Sequence, residues 1–139
     1  MLSKSELIKL ITKNAKVIDA PPFLLPTFES SDQDGRPHIE LKPETYHYFV
    51  YERGREYSRK VYLEIDELMY SVFKDVTFNM ATSEEVKKRR EGEDFRVQLY
   101  AIQEELFGKI NKEFQERLAL EHQKQLQKNS VRISNAISL

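Results

Sequence analysis

Tyr46-His47-Tyr48-Phe49-Val50-Tyr51-Glu52-Arg53-Gly54-Arg55-Glu56-Tyr57-Ser58-Arg59-Lys60-Val61-Tyr62-Leu63 holds two runs rich in aromatic and β-branched residues, one on each side of a lone glycine. Such residues fit the pleated, half-buried surface of a strand. Gly54 supplies the positive φ that a tight hairpin turn needs. The reading is therefore a β-hairpin, 46–53 and 55–63. Upstream, 37–41 is a short extended run with Ile39 and Leu41 on one face. Three antiparallel strands, one face buried and one wet, is the simplest sheet these runs can build.

The flanks change period from two to about 3.6. Ser3-Lys4-Ser5-Glu6 has capping-box spacing, and Leu7, Ile8, Ile11, Ala15 and Ile18 form a helical stripe, which predicts a helix over 4–18 ended by Pro21-Pro22. Residues 20–37 read as an irregular segment packed on the core, with a polar turn at Ser30 to Gly35. Leu68, Met69, Val72, Phe73, Val76, Met80 and Ala81 predict a second helix over 64–88, with Asp66 as its cap and an irregularity at Thr77-Phe78. Asp94 caps a third helix, 95–107, which Gly108 ends, and Asn111 opens a fourth that runs to about Lys128. The fold class is α+β: a small antiparallel sheet of about three strands packed with about four helices. The expected organisation is a single domain over 1–128 and a flexible tail over 129–139, where periodicity disappears.

Composition narrows function by exclusion. The chain of 139 residues has 22 basic and 23 acidic side chains, too even a balance for a nucleic-acid coat or a polybasic membrane binder. It has no cysteine, which removes thiol nucleophiles, thiolate metal sites and disulfide frameworks. Lys4, Lys9, Lys13 and Lys16 interrupt any apolar run of the kind an export signal requires. The expectation is a soluble cytoplasmic protein with no membrane partner and no nucleic-acid partner.

Chemistry-bearing motifs are sparse. No Gly-x-Ser-x-Gly elbow occurs, and the four glycines stand singly, so neither a Walker loop nor a dinucleotide fingerprint is present. Asp32 and Asp34 begin like a calcium loop, but no glutamate follows at the required spacing. His38, His47 and His122 are the only histidines, and His38-x-Glu40 lacks the further ligands of a zinc site. The basic run Lys87 to Arg90 is balanced by five acids within 84–96. Other blocks are not balanced: 29–44 and 64–75 each carry a net −3, and 52–60 a net +2. Blocks of this kind can steer a complementary partner. No catalytic residue, cofactor or metal site is assigned.

An ordered set of short motifs carries a resemblance. It comprises Asp34-Gly35-x-Pro37-His38-Ile39, Tyr46-His47-Tyr48, Glu52-Arg53-Gly54, Leu68-x-Tyr70 with Phe73, Val76-Thr77-Phe78-x-Met80-Ala81, and Arg90-x-Gly92-x-Asp94-Phe95-Arg96. Together, over roughly 24–117, the chain resembles the immunity protein 63 family of bacterial polymorphic toxin systems. Where that pattern leads one to expect a second arginine after Arg96, this chain has Val97.

The resemblance implies a non-enzymatic protein that binds and neutralises a cognate toxin domain. Tyr46, Tyr48, Glu52, Arg53, Tyr70, Arg90, Asp94 and Arg96 are the motif residues singled out, either as partner contacts or as scaffold. The scaffold reading makes the charged members an ion-pair network joining the hairpin to the helix junction. Tyr57 and Tyr62 are alternative aromatic contacts. Two other readings stay open: a small hydrolase or nuclease using His47 with nearby carboxylates, and an adaptor using the polar helix 111–128. Oligomeric state and toxin identity are not legible.

Overall fold

The computed structural model describes residues 1–28, 34–89, 91–92 and 94–137; for Asp34 and for 129–137 it describes the backbone alone. The elements run α1 (Lys4–Val17), a 3-10 turn (Pro22–Leu24), β1 (Asp34–Leu41), β2 (Tyr46–Glu52), β3 (Arg55–Tyr62), α2 (Ile65–Lys88), α3 (Phe95–Ile110) and α4 (Lys112–Ile137). The fold is α+β, with four helices and one antiparallel sheet ordered β1-β2-β3. The chain divides into two compact units, Met1–Met80 and Ala81–Leu139, and the division falls inside α2.

In the first unit the sheet is built from its turn outward. Glu52 pairs with Arg55 across a two-residue loop, and both loop residues have positive φ, 52° at Arg53 and 76° at Gly54. That is the twist-matched hairpin turn, in which the left-handed conformation is free for glycine and costs a residue with a Cβ about 1–2 kcal/mol. Further along, Tyr48 pairs with Lys60 but Val50 pairs with Tyr57, so Ser58 and Arg59 together oppose Phe49. Ser58, at φ 56°, takes up the extra residue as a β-bulge. At the other edge Thr27 joins β1: its N–H donates to the Pro37 carbonyl and its own carbonyl accepts from the Ile39 N–H, each at 3.0 Å.

Register sorts the side chains by face. Tyr46, Tyr48, Ile39 and Leu41 share the inner face, with Tyr62 and Lys60 opposite the two tyrosines. Tyr46, Tyr48 and Ile39 are buried, as are Leu68, Met69, Tyr70, Val72, Phe73 and Val76 of α2 and Leu7, Ile11 and Ala15 of α1. Two phenols stitch sheet to helix: Tyr48 donates to Asp75 at 2.8 Å and Tyr62 to Ser71 at 2.9 Å. The Tyr46 oxygen accepts from the Leu2 N–H at 2.8 Å. The capping box at Ser3 and Glu6 forms in both directions and starts α1.

Several boundaries move. Helix α2 begins at Ile65, so Asp66 lies in its first turn, where it meets the positive end of the helix dipole, and does not act as the cap. The helix runs unbroken through Thr77, whose buried hydroxyl donates to the Phe73 carbonyl at 2.6 Å. Phe23 stays exposed and does not pack. In the second unit α3 and α4 pack together. Asp94 caps α3 by accepting the Arg96 N–H, and Asn111 accepts the Phe114 N–H at the start of α4. Gly108 does not stop α3. The α3 helix runs through it to Ile110, and the flexible end of the Gln115 side chain lies beside it. Helix α4 continues to Ile137, beyond the 128 that apolar spacing suggests. Of the turn cluster from Ser30 to Gly35, 30–33 lie outside the described residues, and Asp34-Gly35 begin β1 and are not a free turn.

Candidate partner-binding surface on the sheet

The outer face of the sheet gathers the side chains that the inner-face alternation excludes. His47 and Glu40 are cross-strand partners, as are His38 and Phe49 and, on the other side, Val61 and His47. The bulge turns Arg59 onto this face, where its guanidinium lies 4.2 Å from the centroid of the Phe49 ring. A guanidinium over an aromatic face contributes about 1 kcal/mol when partly exposed. Arg59 also donates through Nε and Nη2 to both carboxylate oxygens of Glu56, lies 3.6 Å from Glu40, and donates through Nη1 to His47 Nδ1.

These contacts fix the chemistry of the cluster. A guanidinium has no acceptor, so His47 Nδ1 must accept, which places the ring proton on Nε2 and makes that nitrogen the donor to Thr45 Oγ1 at 3.0 Å. Both ring nitrogens are thereby engaged. The Arg59 hydrogen bonds hold the Glu56 carboxyl below its usual range, and Lys42 first, then Arg59, do the same for Glu40. Glu56 in turn raises Arg59. Each of these groups is thus held by a hydrogen bond or ion pair within the cluster. Among the described residues no three acidic, histidine or cysteine side chains converge to hold a metal ion.

Beside this cluster a cleft of about 470 Å³ opens over His38, Phe49, Tyr51 and Arg59, with Lys4 and Phe28 at its margin. The His38 ring stacks on Phe49 with centroids 5.8 Å apart. His38 is only 3% exposed, and its Nε2 has no hydrogen-bond partner among the described residues.

The motif residues separate by location. Tyr46, Tyr48 and Tyr70 are buried. Burial, with the Asp75 carboxylate second, holds the Tyr48 phenol far above its ordinary value. Glu52 and Arg53 are exposed at the hairpin turn. Asp94 and Arg96 meet each other, Arg96 Nε lying 3.4 Å from the carboxylate that caps its own helix. Arg90 lies outside the described residues. Tyr57 is exposed, and Tyr62 is partly buried through its bond to Ser71.

Sequence reasoning missed two groups. Arg59 escapes because its partners come from three separate places in the chain and meet only through register. Glu85 is buried although charged, and it accepts both Arg89 Nε and Nη2, at 2.9 and 2.8 Å. The Arg89 guanidinium also lies 5.1 Å from the Phe95 ring centroid. The signal for this pair was present: a glutamate four residues before an arginine on one helix.

A small α+β protein with a pinned inner face and a structured outer one is what the geometry defines. The chain belongs to the immunity protein 63 family, whose model matches residues 43–124, more than half of its length. The matched span takes in β2, β3, α2, α3 and the start of α4; the motif at 34–39 lies outside it. Its function, in that general sense, is immunity. No curated protein and no solved structure matches the chain. No helix among the described residues is long and apolar enough to cross a membrane.

Proposed function

We propose that this protein binds the catalytic domain of a cognate bacterial toxin in the producing cell and neutralises it by occupation, with no reaction of its own. Membership of an immunity family carries the reading. The state of its ionisable side chains supports it: His47 is bound at both nitrogens, and Glu40 and Glu56 are committed to Lys42 and Arg59. A binding surface needs rigid, pre-set groups, because each side chain ordered on association costs about 0.5–1.5 kcal/mol. Arg59, clamped by Glu56 and His47 and stacked on Phe49, is already ordered.

The direct test is co-expression with the toxin domain encoded by the adjacent reading frame. Cells carrying both survive and the two proteins co-purify if the reading holds. Loss of rescue and of co-purification contradicts it. His47→Ala should leave protection intact, whereas an enzyme that depends on His47 as a base would lose it.

A further inference from the structure

The two edges of the sheet are unlike. Thr27 occupies the β1 edge with two backbone hydrogen bonds, whereas no backbone bond among the described residues reaches β3 from outside the sheet. Alternate N–H and C=O groups of an edge strand point away from the sheet and can template another strand. The strand also carries uncompensated charge. Arg55, Tyr57 and Lys60 lie on one face, opposite Glu52, Val50 and Tyr48, and all three are exposed. The Arg55 guanidinium stands 6.0 Å from the centroid of the Tyr57 ring. Neither Arg55, Lys60 nor Arg53 has an ion-pair partner among the described residues, unlike Arg59.

Arg53 adds a second, independent observation. It sits at φ 52° immediately before Gly54, where asparagine or glycine meets the turn at lower cost. The arginine there puts one more positive charge at the end of the same edge.

Building on the proposed toxin-binding role, we infer that the β3 edge is the docking strand, and that it receives an extended, acidic segment of the toxin domain. The partner strand adds to β3 by backbone pairing while its carboxylates meet Arg53, Arg55 and Lys60. The charge also selects against a second copy of this chain. Pairing β3 with β3 would bring arginine and lysine rows together, and like charges on paired strands repel. The Ser58–Arg59 bulge interrupts the edge and leaves regular stretches at 55–57 and 60–62; Val61 and, just past the strand, Leu63, 53% and 71% exposed, supply apolar contact beside the second.

The test uses the full chain and the toxin domain encoded by the adjacent reading frame, with amide hydrogen exchange read on β3 and affinity measured for two variants. Arg55→Glu/Lys60→Glu should weaken binding roughly tenfold or more, mostly through slower association and with a reduced salt dependence. Arg53→Asn, which suits the turn better, should keep or raise stability and still weaken binding. The amides of 60–62 should exchange more slowly in the complex than in the free chain. If the wild type protects cells but the double variant binds equally and those amides are unchanged, the docking strand is overturned and the toxin-binding role stands. Weakened binding without amide protection overturns strand addition. Amide protection in the free chain that grows with its concentration assigns the edge to self-association and overturns the inference. If the wild type gives no protection, both readings fall.

Discussion

The hydroxyl of Tyr48 donates to the Asp75 carboxylate at 2.8 Å, and this bond ties the central strand of the sheet to the middle of α2. Tyr48 is buried while Asp75 is exposed, so the pair joins core to surface. Tyr48→Phe keeps the ring packing and removes the bond. It should lower stability by about 1.5 kcal/mol, the low end for a hydrogen bond to a charged group, because water can then solvate the exposed carboxylate. Urea unfolding measures the loss, and toxin affinity should not change.

Arg59 makes the outer face sensitive to acid. The Glu56 and Glu40 carboxyls are held below their ordinary value of 4.5. Their stabilisation is therefore complete above that value and is lost as pH falls through the depressed folded values. Arg59→Met should cost about 1 kcal/mol from the lost contact with Phe49, and at neutral pH it also removes the stabilisation that Arg59 gives Glu56. It should also flatten the acid limb of the stability profile, because Glu56 loses its principal partner, while Glu40 keeps Lys42. Urea midpoints across pH read this directly; parallel curves for variant and wild type would contradict it.

Asp94 lies within the span that matches the family and caps α3. Asparagine caps a helix as well as aspartate does, whereas alanine costs about 1 kcal/mol. Asp94→Asn should therefore preserve thermal stability and protection, and Asp94→Ala should lower stability by that amount with protection following stability. Loss of protection in the asparagine variant, with stability unchanged, would make Asp94 a contact.

The hairpin turn gives the opposite sign. Arg53 occupies a left-handed position next to a glycine, and Arg53→Asn should raise stability by up to about 1 kcal/mol. Thermal unfolding measures the gain. A destabilised variant would show that the arginine side chain holds the turn.

Much of the fold is legible because its signals are local. The hairpin follows from two aromatic and β-branched runs around Gly54, and the caps at Ser3, Asp94 and Asn111 each act within three residues. Alternation in β2 shows that Tyr46 and Tyr48 oppose His47 and Phe49, but it cannot say which set faces the helices, since both contain aromatics. The bulge at Ser58 has no glycine to announce it, so the placing of Arg59 on the outer face was not legible. Gly108 reads as a stop when only the sequence is seen, yet α3 runs through it to Ile110. The last turns of α4 lack an apolar stripe, which is the only cue to helix that a sequence offers there. The candidate surface was legible as charge, in the net +2 of 52–60, but not as geometry.

Whether this protein acts by occupation is tested most directly by titrating it into the purified toxin domain and following the toxin's activity. Inhibition should be complete at a fixed stoichiometric ratio, independent of incubation time, and the toxin should regain full activity when the complex is dissociated and separated. Inactivation by a small fraction of an equivalent, progressing with time and leaving an altered toxin after separation, would show turnover and contradict the account.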